Sequence, residues 1–160
     1  VFFMDELMLF TDGSVNTHSK IGYGAYLAVF DRKLSLESLK KKVKVKRVEQ
    51  TSSTKLELQT LLWALSDIQT LGCHVVVHTD SQNIIGLPGR RERLEAREYY
   101  SKNNKRLNNY ELYEDFYRIS DQIDFELVKV RGHQVTSQKN EIDKLFTLVD
   151  RAARNALRNE

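Results

Sequence analysis

A single cysteine, Cys73, stands among the 160 residues of this chain. No intramolecular disulfide can form, and Cys73-His74 lacks the second ligand pair that a zinc site needs. Such sparing use of cysteine fits a reducing compartment. One proline and seven glycines leave no stretch that reads as an interdomain linker, and nothing repeats at the roughly 20 to 50 residue period of repeat architectures. No apolar run approaches the roughly 20 residues that cross a bilayer, and the first residues lack the basic-then-apolar order of a signal peptide. These absences predict one folded domain over residues 1–160, cytoplasmic, without a membrane partner, and expected to act as a monomer. A hydrophobic content of 41% is enough for a real core.

Net charge is only +3, so the overall balance says little about partners, but its distribution says more. Lys40, Lys41, Lys42, Lys44, Lys46 and Arg47 follow one another without an acidic residue, and residues 90–106 hold seven basic residues against three glutamates. Two local basic surfaces suggest a polyanion. The alternative is a solvated helix and a solvated edge strand, since lysines commonly guard sheet edges.

Leu7 to Phe10 is an apolar run without helical spacing that leads into Thr11-Asp12-Gly13-Ser14. It reads as a strand buried on both faces that ends at Asp12 in a turn. Ile21–Phe30 and Val43–Gln50 have strand character and complete a meander. Thr54-Lys55-Leu56-Glu57 has capping-box spacing and opens a helix with Leu58, Leu61, Leu62, Leu65 and Ile68 on one stripe, stopped by Gly72. His74–Thr79 is a second compact apolar run and ends on Asp80-Ser81. A short helix from Ser81 to Leu87 is broken by Pro88-Gly89, and a basic protrusion, about residues 89–106, precedes a helix over 107–123. A strand over 125–131, a polar loop and a helix over 141–157 close the chain. The order is βββαβα, then helix, strand, helix.

Two strands that end alike on Asp12 and Asp80 become neighbours if the helix between them is a crossover, and reactive sites of open α/β sheets lie at such strand ends. Asp12 alone could be a turn former. Paired carboxylates repel unless a proton or cation compensates, and hard oxygen ligands select magnesium or manganese. Glu57, on the first turn of its helix, can complete the cluster and serve the capping box as well.

Taken in order, Thr11-Asp12-Gly13-Ser14, Leu56-Glu57-Leu58, Thr79-Asp80-Ser81-Gln82, Gly132-His133, and either Asp143-Lys144-Leu145 or Val149-Asp150-Arg151-Ala152-Ala153-Arg154 resemble the ribonuclease H type 1 family over nearly the whole chain. The resemblance implies an α/β, ribonuclease H-like fold, a five-stranded mixed sheet with helices on both faces. It implies an endonuclease that cuts the RNA strand of RNA/DNA hybrids with two Mg2+ ions, Mn2+ being possible, held by Asp12, Glu57, Asp80 and a last-helix aspartate. His133 would shuttle a proton or help product leave; the alternative is an ordinary loop histidine. Gly13, Ser14, Ser53, Thr54, Gln82 and Asn83 would meet the hybrid, with Arg90, Arg91 and Arg93 of the protrusion. Ser53 and Thr54 stand where many members carry asparagines, and the protrusion lacks tryptophan. A silent nucleic-acid-binding module of the same fold, or a related nuclease acting on DNA, are the competing readings.

Asp143 and Asp150 lie seven residues apart, about 20° from each other around a helix, so periodicity does not separate them. The small residues that follow Asp150 match the family pattern better and favour it, with Asp143 the alternative.

Overall fold

The computed structural model describes residues 6–30, 33–69, 72–131 and 140–160. Strand β1 (Glu6–Asn16) pairs antiparallel with β2 (Ile21–Val29), which pairs antiparallel with β3 (Lys44–Val48). On its other side β1 pairs parallel with β4 (His74–Thr79), and β4 pairs parallel with β5 (Phe125–Lys129). The sheet order is β3-β2-β1-β4-β5, so β1 is central and the expected mixed five-stranded sheet is present.

Alternation along β1 sets the two layers. Leu7 and Leu9 belong to a core built with α2 (Ser53–Ile68), α3 (Gln82–Ile85), α4 (Leu87–Ala96) and α5 (Tyr110–Gln122), while Met8 and Phe10 belong to a second core with α1 (Leu36–Lys40) and α6 (Glu141–Arg158). A period of two thus buries β1 on both sides and puts helices on both faces. Leu58, Leu61, Leu65 and Ile68 form the buried stripe of α2, and Leu145, Phe146, Val149 and Ala153 that of α6.

Several local readings need correction. The chain does not turn at Asp12-Gly13: β1 runs on to Asn16 because Asp12 stays paired with Ala25 and Gly13 with Gly24. Helix α2 is capped by Ser52, whose side chain accepts the Lys55 N–H, so Thr54 lies inside the helix and leaves Glu57 out of a capping box. Pro88-Gly89 does not break the chain into a loop. Pro88 occupies the first turn of α4, where its missing N–H costs nothing, and Arg90, Arg91 and Arg93 are helical. Helix α1, between β2 and β3, was not expected. It is one short turn held by the Ser35 cap, and at five residues it shows no periodicity to read.

Candidate active site

The β1·β4 ladder ends where Phe10 meets His78, and two residues further along each strand stand Asp12 and Asp80. The parallel register alone therefore puts the two carboxylates at one level on adjacent strands. Asp12 is buried, at 8% exposure, whereas Asp80 lies in the exposed turn before α3. Burial pushes the Asp12 carboxyl up to about 8, with the Asp80 charge and a hydrogen bond to Asp150 acting in the same direction and the Gly13 N–H opposing. Asp12 therefore holds its proton far more tightly than a free carboxyl and shares a hydrogen bond with Asp150.

Asp150 arrives from α6, one residue after the buried Val149, and its carboxylate also accepts from Arg154 Nε at 3.0 Å. Asp143 is occupied elsewhere. Its side chain accepts the Asn140 N–H at 3.2 Å while its own N–H donates to Asn140 Oδ1 at 2.8 Å, a reciprocal cap of α6. Geometry thus joins Asp150, not Asp143, to Asp12.

Glu57 follows the first turn of α2 (residues 53–56), where it was expected to lie within it, and this end of the helix seats directly on the sheet. A Cβ on Gly13 would stand 2.9 Å from Leu56 Cδ2, and one on Gly22 2.6 Å from the same atom. The absence of side chains there lets the helix start approach β1 and β2, so Gly13 has a packing role irrespective of any ligand. Burial raises the Glu57 carboxyl, a hydrogen bond from Ser81 opposes the rise, and the Asp80 charge adds to it. Ser81 was not singled out in the sequence. Its hydroxyl also accepts the Ile84 N–H at 3.2 Å to cap α3, so one side chain ties the β4–α3 junction to Glu57. Serine immediately before a helix was the available signal. Arg154 was likewise missed, although its four-residue spacing from Asp150 marks an ion pair on a helix.

Among the described residues, no three Asp, Glu, His or Cys side chains converge on one point for an ion. The acids interact in pairs, Asp12 with Asp80 and with Asp150, and Glu57 with Asp80. The donor set nevertheless suits a hard divalent cation. It consists of carboxylates from β1, α2, α6 and the β4–α3 junction, and its buried member is kept protonated by burial and by neighbouring negative charge, both of which a cation would offset. Rotation of these side chains is what closing the set on an ion requires.

The other expected residues are distributed around this cluster. Gly13 and Ser14 continue β1, Ser53 and Thr54 are exposed on the first turn of α2, and Gln82 is exposed at the start of α3, where its Oε1 accepts from Lys129 Nζ at 2.6 Å. Asn83 faces inward and accepts from Arg90 through both its backbone and side-chain oxygens, at 2.9 and 2.8 Å. Arg91 grips Asp121 at 2.7 and 2.8 Å, bonds Glu95, and lies over the Tyr117 ring. Arg93 is exposed. His133 lies outside the described residues, as does the rest of 132–139.

A mixed sheet in this order, with acids meeting where the ladder between its central parallel strands ends, defines the ribonuclease H-like class of folds. The chain belongs to the RNase H family, whose model matches residues 4–158. No curated protein matches it. Solved structures that resemble it include the foamy virus protease–reverse transcriptase in complex with dsDNA, at 9% identity and a TM-score of 0.63 over 96% of each chain. The native protease–reverse transcriptase of prototype foamy virus matches at 16% identity and a TM-score of 0.73, over 97% of this chain and 21% of that one. The solution structure of the PFV RNase H domain matches at 15% identity and a TM-score of 0.73, over 93% of this chain and 92% of that one. At these identities the likeness is one of fold.

Proposed function

We propose that this chain is an endoribonuclease that hydrolyses the RNA strand of RNA/DNA hybrids with the help of two divalent ions, Mg2+ or Mn2+. The observation that carries the reading is the meeting of Asp12 with Asp80 and Asp150 just past the end of the parallel β1·β4 ladder, in a chain of the RNase H family. Asp12, Glu57, Asp80 and Asp150 hold the ions, and Ser81 and Arg154 orient Glu57 and Asp150. Ions so held supply activation of a water and stabilisation of the charge that grows on the departing oxygen. Asp12 would hold an ion as the carboxylate, since a cation beside it would offset the burial and the neighbouring negative charge that favour its protonated form. His133 moves a proton near neutral pH. Gly13, Ser14, Ser53, Thr54, Gln82 and Asn83 surround the acids with small and polar groups suited to 2′-hydroxyls in a shallow minor groove. Of the protrusion's arginines, Arg93 is placed to meet phosphate, while Arg90 and Arg91 hold the protrusion together.

The test is one panel of labelled substrates, an RNA/DNA hybrid, duplex DNA and branched DNA, with and without magnesium. Metal-dependent cleavage confined to the RNA strand of the hybrid is expected. Binding without cleavage of any substrate would make the chain a silent binding module, and cleavage of duplex or branched DNA would move it to a DNA-directed nuclease.

A further inference from the structure

Lysine carries only hydrogen-bond donors, whereas a glutamine amide has an accepting end and a donating end. The contact from Lys129 Nζ to Gln82 Oε1 at 2.6 Å therefore decides which end of Gln82 is spent. Its carbonyl faces the ammonium, and its NH2 group is the end left for a ligand. Among the described residues that group makes no hydrogen bond. A lysine that only guards the end strand of a sheet needs no partner, but this one reaches a residue 47 positions away.

Both partners are held by the fold. Alternation along β5 turns Phe125 and Leu127 toward the core under α2 and α5 and Val130 toward the core under α6, so Lys129 points to the side that carries α3. Lys129 pairs with Thr79, and the Val130 N–H donates to the Thr79 carbonyl at 2.8 Å. Thr79 also fixes the start of α3, because its hydroxyl accepts the Ser81 N–H at 3.1 Å. The carbonyl of Gln82 accepts the Gly86 N–H at 3.1 Å. Gln82 follows Asp80 by two residues, so an amide oriented from β5 stands beside the acids.

The two ends of an amide read different things in a minor groove. Every base pair offers acceptors there, and only guanine adds a donor, its N2 amino group. An NH2 end pairs with the acceptors but meets the guanine amino group donor against donor, and a carbonyl end does the reverse. We propose that Lys129 is a positioning residue that sets Gln82 as a hydrogen-bond donor toward the minor groove of the hybrid, so that cleavage discriminates against guanine at the one base pair Gln82 meets. This role presupposes that the hybrid is the substrate.

Inosine is guanosine without the N2 amino group, so it isolates this contact. Hybrids carrying guanosine in turn at each base pair around one cleavage position are compared with twins carrying inosine there. At the pair that meets Gln82, inosine should raise wild-type kcat/KM about two- to tenfold, the worth of one hydrogen bond, and should do so through KM rather than kcat. Lys129→Met should erase this preference because the amide can then turn either end outward. Lys129→Arg, which keeps the donors, should retain it, and Lys129→Glu, which only accepts, should invert it to favour guanosine. Gln82→Ala should abolish it in every background. Lys129 is exposed, so these changes spare the core. A preference that survives intact in Lys129→Met overturns the proposal, and a salt slope lower by about 0.9 in that variant would make Lys129 a phosphate contact instead. Equal cleavage of guanosine and inosine hybrids at every position, in a wild type that cleaves hybrids, overturns it as well. If the wild-type protein neither binds nor cleaves hybrid, the substrate reading fails and this role falls with it.

Discussion

Asp12 and Asp150 share a hydrogen bond, one carboxyl to another, and a contact of this kind exists only while one of the two is protonated. The folded, metal-free chain holds the Asp12 proton up to about pH 8, whereas the unfolded chain releases it near 3.8. The folded state therefore binds more protons between these values, and stability should fall as pH rises through that window.

Asp12→Asn removes this dependence because the amide carries no charge to desolvate. In chelator, its melting temperature should exceed that of the wild type, most clearly near pH 8, at about 2–4 °C per kcal/mol gained. Hydrolysis should be lost, and added magnesium should raise the wild-type melting temperature much more than the variant's. Thermal unfolding from pH 5 to 8 with and without magnesium checks this. A variant less stable than wild type throughout would mean that the acids do not repel one another.

Asp143 and Asp150 should separate cleanly. Asp143→Ala removes one arm of the α6 cap, costing about 1 kcal/mol or less, and should leave the magnesium dependence of turnover as it was. Asp150→Asn should instead sharply reduce turnover and raise the magnesium concentration required, with partial rescue by manganese. Magnesium titrations of cleavage for the two variants decide the matter, and the reverse pattern would move the site one heptad toward the start of α6.

These two aspartates also mark the limit of what the sequence discloses. Seven residues leave them on one helical stripe, and only the three-dimensional neighbour, Asn140 for one and Asp12 for the other, tells them apart. The strand end before Asp80, the crossover that makes β1 and β4 neighbours, and both apolar helix stripes were legible because each depends on a period of two or of about 3.6, whereas the turn expected at Asp12 was overridden by the pairing that carries β1 on to Asn16. What stayed hidden depended on contacts across the fold. Ser52 outcompeted Thr54 as the cap, Pro88 started a helix where it was expected to end one, and Arg91 turned toward Asp121, 30 residues away.

That last contact yields a contrast between neighbours. Arg91→Gln gives up the two-pronged grip on Asp121 and the Tyr117 stacking, so it should lower the melting temperature. At this exposure the loss should stay near or below about 1 kcal/mol. Arg93→Gln should leave stability unchanged and reduce the salt slope of hybrid binding by about 0.9. Melting curves paired with binding at several salt concentrations test both, and a slope that falls for Arg91 but not for Arg93 would reverse the assignment.

Gly24 provides a test of how α2 delivers Glu57. A Cβ at Gly24 would overlap Thr60 Oγ1, and the Cβ and Cγ2 of Thr60 would each stand 3.1 Å away. Rotating Thr60 does not clear the space, and its hydroxyl is already committed to the Leu56 carbonyl at 2.7 Å. In Gly24→Ala the helix must therefore lift from β2, and Leu56 with it from Gly13 and Gly22. Overpacking of this kind costs about 1–3 kcal/mol. Because Glu57 follows Leu56 on the same turn, the lift should also raise the magnesium concentration needed for turnover. Adding Thr60→Ala to Gly24→Ala removes the Oγ1 and Cγ2 contacts and should restore most of both losses. If Gly24→Ala lowers the melting temperature but leaves the magnesium dependence untouched, the seating of α2 on its glycines serves the fold and not the placement of Glu57.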